Sequence, residues 1–143
     1  MNKINVVYWS GTGNTKAMAE KLGEGIEAGG KEANVLEVYS VKAESLKEDA
    51  VLALGCPSMG AEVLEEEAME PFVAELEQYV RGKKIALFGS YGWGNCEWMR
   101  DWEQRLKDSG AEIVGGEGVT CLNEADEDTL DVLFELGKKL AEA

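Results

Sequence analysis

Apolar residues along the chain fall into short continuous runs, and longer segments between the runs repeat them every three or four positions. The short runs predict buried strands, because a strand covered on both faces reads as continuous apolar sequence. A fifth run is interrupted by Gly115, Gly116 and Gly118 and is a weaker strand. The predicted strands span residues 4–9, 35–39, 51–54, 85–88 and 112–119.

The segments with helical spacing separate these strands, so strands and helices alternate along the chain. Predicted helices cover residues 14–28, 69–80, 98–107 and the stretch from Leu130 to Leu140. This alternation predicts an α/β fold, a doubly wound five-stranded parallel sheet in the order 2-1-3-4-5 with helices on both faces. We expect residues 1–143 to form a single domain.

Three unusual loops follow the first, third and fourth predicted strands, which are neighbours in that order. Their sequences are SGTGNT, GCPSMGAE and GSYGWGNCE. Parallel strands end at one edge of the sheet, so we expect these loops to meet there and to form a binding site. The loops after the other two strands look ordinary.

The first loop is rich in glycine and in neutral hydrogen-bond donors and ends at the start of a helix. Such a loop, with the helix dipole behind it, predicts a phosphate site that uses hydrogen bonds and no countercharge. It matches neither G-x-x-x-x-G-K-[ST] nor G-x-G-x-x-G. Taken alone, it is equally compatible with an ordinary glycine-rich turn that caps a helix.

The other two loops offer flat or polarisable side chains. Trp93 lies between Gly92 and Gly94, where neighbouring side chains give it little cover, and Met59 could face the opposite side of a ring. Glu62 could accept a hydrogen bond from a ring N–H. The alternative places Trp93 in the core. Together with the first loop, this arrangement predicts a phosphorylated, flat, aromatic cofactor.

The segments YWSGTGNT, GCPSMGAEVLEEE and LFGSYGWGNCEWM resemble the three FMN-binding segments of flavodoxins. The resemblance covers nearly the whole chain. The fifth strand has no long inserted loop, and in this respect the chain resembles the short-chain flavodoxins of anaerobes. It implies that Met59 and Trp93 flank the isoalloxazine ring and that Glu62 accepts from its N3–H. The residues implied to bind FMN are Ser10, Gly11, Thr12, Gly13, Asn14 and Thr15 around the phosphate, with Ser58, Met59, Gly60, Ala61, Glu62, Ser90, Tyr91, Gly92, Trp93 and Gly94 in the other two segments.

Two positions depart from the family pattern: Ala61, where Asp, Gly, Ser or Asn is frequent, and Cys96, where Gly is common. The resemblance also implies that the peptide between Gly60 and Ala61 flips when the flavin is reduced, so that a carbonyl faces N5–H. A positive φ at Ala61 would strain the oxidised turn, whereas a positive φ at Gly60 carries no such penalty. We therefore expect Ala61 to favour the reduced form of the turn.

The function that this resemblance implies is that of a low-potential one-electron carrier. It would bind FMN non-covalently, shuttle between semiquinone and hydroquinone, and stand in for ferredoxin. It would be a monomeric electron-transfer protein and no enzyme. The alternative is an FMN-dependent quinone or nitro-compound reductase of the same fold. A non-redox interaction domain is a third possibility and would bind no chromophore.

Composition limits the partners and the chemistry. Fourteen basic and 28 acidic residues give a net charge of −14, which disfavours nucleic acid and anionic membranes. There are two interpretations of the acidic surface: it serves solubility alone, or it forms a docking face for basic redox partner proteins. Composition does not decide between these two interpretations. The absence of histidine excludes histidine-based catalysis and most zinc sites. Cysteines 56, 96 and 121 lack metal-ligand spacing, so we predict no metal and a cytoplasmic location.

Overall fold

The computed structural model describes residues 2–60 and 62–143. Within them, one parallel sheet has the strand order β2-β1-β3-β4-β5, and β6 also pairs with β4. The predicted order is confirmed. The strands are β1 Lys3–Tyr8, β2 Glu32–Glu37, β3 Val51–Gly55, β4 Lys84–Tyr91, β5 Glu112–Ile113 and β6 Val119–Leu122.

Helices cover both faces of the sheet, as the alternating pattern predicts. They are α1 Asn14–Ala28, α2 Met69–Leu76, α3 Glu97–Asp108 and α4 Glu127–Glu142. Successive residues of a strand point to opposite faces, and the core accordingly divides into two clusters. Val6 packs with α1 and α4, whereas its neighbour Val7 packs with α2 and α3. The fold is therefore doubly wound.

The predicted fifth strand over residues 112–119 is wrong in its continuity. Two short strands take its place: β5 pairs with the start of β4, and β6 pairs with its end, from Phe88 to Tyr91. Gly115 and Gly116 have φ of 84° and 88° and turn the chain between them. Glycine adopts this conformation at no steric cost, so the apolar run breaks where its glycines lie.

Several other boundaries differ from the prediction: for example, β2 begins at Glu32 and not at residue 35, and β4 continues to Tyr91 and not only to residue 88. The second strand ends at Glu37 and not at residue 39, because Val38–Ser40 forms a 3-10 turn. The second helix ends at Leu76, and Glu77–Tyr79 continues it as a second 3-10 turn. Residues at these ends remain part of the core, since Val38 and Val80 are buried. At these two ends burial extends past the regular element, so the apolar pattern places the end too late.

Helices α1 and α4 cross closely because glycines stand at the crossing. A Cβ at Gly25 would collide with the carbonyl oxygen of Phe134, and one at Gly137 would collide with that of Leu22. This contact fixes the direction in which α1 leaves the sheet edge. The start of α1, where the glycine-rich loop ends, is therefore held by the packing of the whole helix pair.

Candidate functional site

The three unusual loops meet at the carboxyl edge of the sheet. Backbone hydrogen bonds extend the strand ladder into them: the N–H of Trp9 donates to the carbonyl of Gly55 (3.0 Å), and the N–H of Ser58 donates to that of Ser90 (2.9 Å). The predicted site residues outside position 61 are thus brought together at one edge. The sheet fixes the loop bases relative to one another before any ligand binds.

The first loop makes a tight turn into α1. Gly13 has a φ of 99°, and its N–H donates to Ser10 Oγ at 3.1 Å. The N–H of Asn14 lies 3.4 Å from Thr12 Oγ1, and Asn14 is the first residue of the helix. A Cβ at Gly13 would meet no atom within 4 Å, so the turn faces open space. The loop therefore brings backbone N–H groups and neutral hydroxyls to an open position at the N-terminus of a helix, which suits an anion.

A buried pair of hydroxyls ties this loop to β4. Thr15, in the first turn of α1, is 1% exposed, and Ser90 at the end of β4 is 5% exposed. Their oxygens, Thr15 Oγ1 and Ser90 Oγ, are 3.2 Å apart. Either hydroxyl can donate to the other, and each keeps capacity for a further bond. The pair links the first and third loops beneath the open position.

The second loop carries a buried hydroxyl without a partner. Ser58 Oγ is buried, and no described group lies within hydrogen-bond distance of it. Buried polar groups in native proteins are nearly always hydrogen-bonded. The Ser58 hydroxyl is therefore available to a polar ligand at this edge. Trp102 Nε1, the other such atom among the described residues, lies in the core on α3. The donors present fit a phosphorylated ligand.

The tip of the second loop is a short hairpin. The backbones of Met59 and Val63 exchange two hydrogen bonds of 2.9 Å, which close the loop one residue beyond the predicted turn of residues 59–62. Gly60 has a φ of 50°, the sign that a type II′ turn requires at its first central residue. Ala61, and with it the predicted peptide flip and strain at this position, lies outside the described residues.

Glu62 joins the second loop to the third. Its Oε1 accepts the N–H of Asn95 at 3.2 Å and that of Glu97 at 3.1 Å. Glu97 begins α3, so the carboxylate satisfies N–H groups at a helix N-terminus. Among the residues that the structure describes, none donates to Oε2. Gly94 permits this approach, because a Cβ there would lie within 2.8 Å of three carboxylate atoms.

Trp93 lies at the surface, as its glycine neighbours predict. It is 59% exposed, whereas Trp98 and Trp102 on α3 are each 1% exposed. The alternative in which Trp93 fills the core is therefore wrong. Tyr91, at the end of β4, turns its ring inward against Trp98 at a centroid distance of 5.9 Å. At this site Tyr91 thus offers backbone groups, and Trp93 offers an open aromatic face.

The loop that follows β6 also reaches the site, although its sequence looks ordinary. Asn123 follows β6, and its N–H donates to the carbonyl of Tyr91 at 2.7 Å. A Cβ at Gly92 would lie 3.6 Å from Asn123 Oδ1, and the neighbouring Leu122 is 56% exposed. Asn123 has a φ of 58°. Asparagine tolerates this region better than most residues, which is the one signal that its sequence offered.

The cysteines near the site are poor nucleophiles. Burial raises the pKa of Cys56 to about 12 and that of Cys121 to about 11. Both therefore remain thiols at neutral pH, and a thiol is far less reactive than a thiolate. Cys96 is partly exposed and has a φ of 66°. These positions favour packing and turn formation over thiol redox chemistry.

No group of three or more His, Cys, Asp or Glu side chains within residues 2–60 and 62–143 is arranged to hold a metal ion.

In the same part of the chain, every helix is too short or too polar to span a membrane.

Comparisons with known proteins agree with one another. A family model described as Flavodoxin matches residues 6–137. The chain is 47% identical over 138 residues to a flavodoxin of Clostridium beijerinckii, covering 96% of this chain and 99% of that protein. It is 41% identical over 140 residues to a flavodoxin of Megasphaera elsdenii, with 98% and 99% covered. The solution structure of the two-electron reduced Megasphaera elsdenii flavodoxin superposes with a TM-score of 0.87 at 40% identity, over 98% of this chain and 99% of that one.

Proposed function

Because the chain belongs to the flavodoxin family, we propose that it is a one-electron carrier that binds one FMN non-covalently at the carboxyl ends of β1, β3 and β4. The flavin supplies the redox chemistry, and the protein supplies binding, orientation and electrostatics. The observation that carries this proposal is the meeting of a neutral anion cradle, an orphaned buried hydroxyl and an exposed tryptophan at one sheet edge.

The phosphate would be held by neutral donors. Its proposed ligands are the N–H groups around Gly13 and the hydroxyls of Ser10, Thr12 and Thr15, all at or next to the start of α1. Ser58 and Ser90 would bond phosphate or ribityl oxygens, which would satisfy the orphaned Ser58 Oγ. A bond from a neutral donor to a charged acceptor contributes about 1.5–3 kcal/mol, so a few such bonds replace a countercharge.

The ring would be held between Met59 and Trp93. Both side chains belong to loops whose bases are fixed by the sheet, and the large exposed face of Trp93 would be covered by the flavin. Glu62 Oε2 would accept the N3–H, because Oε1 is occupied by the N–H groups of α3. Backbone N–H groups of Gly92 and Gly94 would bond the pyrimidine edge.

The charges around the ring favour a low potential. The three loop segments, residues 10–15, 56–67 and 89–97, contain no Lys or Arg, and Glu62 holds a negative charge at the ring edge. Adding an electron beside a carboxylate and the phosphate, on a protein of net charge −14, costs free energy. Each ~1.4 kcal/mol lowers a one-electron potential by about 59 mV. Such a carrier would be reducing enough to stand in for ferredoxin.

The partners proposed are reductases and acceptor oxidoreductases with basic docking surfaces, which the acidic surface would attract at low salt. We propose a single-domain monomer that works in the cytoplasm. The quinone or nitro-compound reductase remains the weaker candidate, since the two curated relatives of high identity are both named flavodoxins.

Cofactor analysis tests the proposal directly. The purified protein should be yellow, and mass spectrometry of the extracted cofactor should give FMN in a one-to-one ratio. Spectroelectrochemical titration should resolve two one-electron steps, the second at the lower potential. FAD in place of FMN, or no bound flavin after reconstitution, contradicts the proposal. Steady oxidation of NADH or NADPH by the protein alone would instead identify a reductase.

A further inference from the structure

A long groove lies beside the proposed cofactor site, along the end of the sheet that β6 forms. Its volume is about 720 Å³, and it runs between α4 and the turn that joins β5 to β6. Asn95 and Cys96, which directly follow Gly94 in the third loop, line the same groove. The groove therefore begins next to the residues that we assign to the ring.

The middle of this groove is apolar. Val119 of β6 and Val132 and Leu136 of α4 line it. Val132 is 53% exposed, one of few large aliphatic side chains at the described surface with so much area in water. β6 pairs with β4 along one of its edges, and no described strand pairs with its other edge. Leu136 is only 6% exposed and Val119 is partly exposed, so Val132 supplies most of the aliphatic surface that a bound partner could cover.

The charges along the groove are separated by position. Asp128 and Asp131 lie on the first turns of α4, near the cofactor loops, and Lys139 lies near its other end. The remaining cation, Arg100, is engaged by Glu103 at 3.0 Å and Glu117 at 2.8 Å. Toward the Lys139 end, Glu135 adds a further carboxylate, which pairs with Lys138 at 3.6 Å. Asp128 and Asp131 therefore form the part of the groove where, among its described residues, negative charge is not matched by an ion pair.

We propose that this groove docks a basic amphipathic helix of the redox partner protein. The partner's Lys or Arg side chains would lie against Asp128 and Asp131, and its aliphatic side chains would cover Val132 and the exposed part of Val119. Complementary charge sets orientation, and burial of the two valines adds affinity. This inference rests on the proposed carrier function, because it assigns the position of the electron donor or acceptor beside the ring.

A synthetic peptide tests the groove on the FMN-loaded protein. The probe has about 18 residues, with leucines on one helical face and lysines on the other. A scrambled peptide of equal composition is its control. We expect binding of the amphipathic peptide, with amide shifts in ¹⁵N spectra concentrated at residues 117–120 and 128–139. Equal binding of the scrambled peptide, or shifts spread over the acidic surface, would overturn the proposal.

Three sets of substitutions separate the contributions. Val132→Ser should weaken peptide binding about fivefold, and Asp128→Asn with Asp131→Asn about tenfold at low salt. Raising NaCl to about 0.5 M should remove most of the second difference. The matched pair Glu20→Gln and Glu27→Gln on α1 removes the same charge elsewhere, and it should change binding less than about twofold. Equal losses for both acidic pairs would contradict a specific groove.

Two measurements keep this inference separate from the proposed function. FMN affinity should be the same in all groove variants, because none of the substituted residues belongs to the proposed cofactor site. Failure to bind FMN at all would end the carrier function, whereas intact FMN binding without peptide binding would end only the groove proposal. Sedimentation of the free protein tests the other occupant: a dimer disrupted by Val132→Ser would assign the groove to a second copy and overturn our assignment.

Discussion

The proposed site has two ends that differ in structure. At the end nearest β1, the chain turns through Gly13 directly into α1, whereas at the opposite end the second and third loops lie at an open surface. Thr15 is 1% exposed at the first end, and Trp93 is 59% exposed at the second. The first end is called the phosphate end, because we propose that it holds the FMN phosphate, and the second is called the ring end, because we propose that it holds the isoalloxazine. At the phosphate end the residue with a positive φ is a glycine, Gly13. Within the described chain, the non-glycine residues with positive φ are Glu62, Cys96 and Asn123, all in loops at the ring end.

This contrast indicates a division of labour between the two ends. The phosphate end is formed by a regular element and a buried contact: the N-terminus of a long helix and the hydroxyl pair of Thr15 and Ser90. The ring end contains strained backbone and an uncovered tryptophan, features that persist where the surrounding structure holds them for a function. We therefore expect the phosphate end to contribute FMN-specific affinity and the ring end to set the potentials.

The largest effect should follow from Thr15→Val, which keeps the branched shape and removes the hydroxyl. Loss of a bond to the phosphate should weaken FMN binding by about 1.5–3 kcal/mol, roughly tenfold to a hundredfold. Riboflavin, which lacks the phosphate, should bind with unchanged affinity. Fluorescence titration of the apoprotein with each ligand measures both. Equal losses for FMN and riboflavin would mean that Thr15 supports the fold and not the phosphate.

Trp93→Ala should have the next largest effect, and on both ligands alike. Stacking of a base on an aromatic side chain contributes about 1–3 kcal/mol, so FMN and riboflavin affinities should fall together. Apoprotein stability should change by less than about 0.5 kcal/mol, because the side chain is mostly in water. The matched control is Trp98→Ala, whose buried ring should cost about 3–5 kcal/mol of unfolding free energy. Similar destabilisation by both substitutions would place Trp93 in the core.

The local structure of the phosphate end was predictable from the sequence, and that of the ring end only in part. Glycines and hydroxyls directly before a helical pattern indicate an anion cradle, and the two glycines beside Trp93 indicate its exposure. The hydrogen bonds that Glu62 accepts from Asn95 and Glu97 join residues 33 and 35 positions apart in the sequence. No local pattern encodes such a contact. Asn123 reaches the site because the chain turns at Gly115 and Gly116 and forms β6 as a separate strand. The apolar run predicts one continuous strand there, so the sequence does not indicate this position of Asn123.

Glu62→Gln should raise the potential of the second one-electron couple by tens of millivolts. The amide keeps an acceptor for the N–H groups of Asn95 and Glu97 but removes the negative charge at the ring edge. A change of 59 mV corresponds to about 1.4 kcal/mol. Glu62→Ala removes both charge and acceptor, so it should also speed amide hydrogen exchange at Asn95 and Glu97. Faster exchange in the Gln variant as well would show that the charge itself holds the two loops together.

The smallest effect concerns the strain at Cys96, whose φ is 66°. A left-handed conformation costs a residue with a Cβ about 1–2 kcal/mol, and glycine avoids this cost but loses about 0.5–1 kcal/mol of chain entropy on folding. Cys96→Gly should therefore stabilise the apoprotein by about 0.5 kcal/mol. Cys96→Ala removes the same sulfur and keeps the strain, so it should give no gain. Chemical denaturation of both variants isolates the backbone contribution as the difference between them. Equal stability of the two variants would mean that the ring end holds Cys96 without strain, and the contrast with the glycine-built phosphate end would then rest on exposure alone.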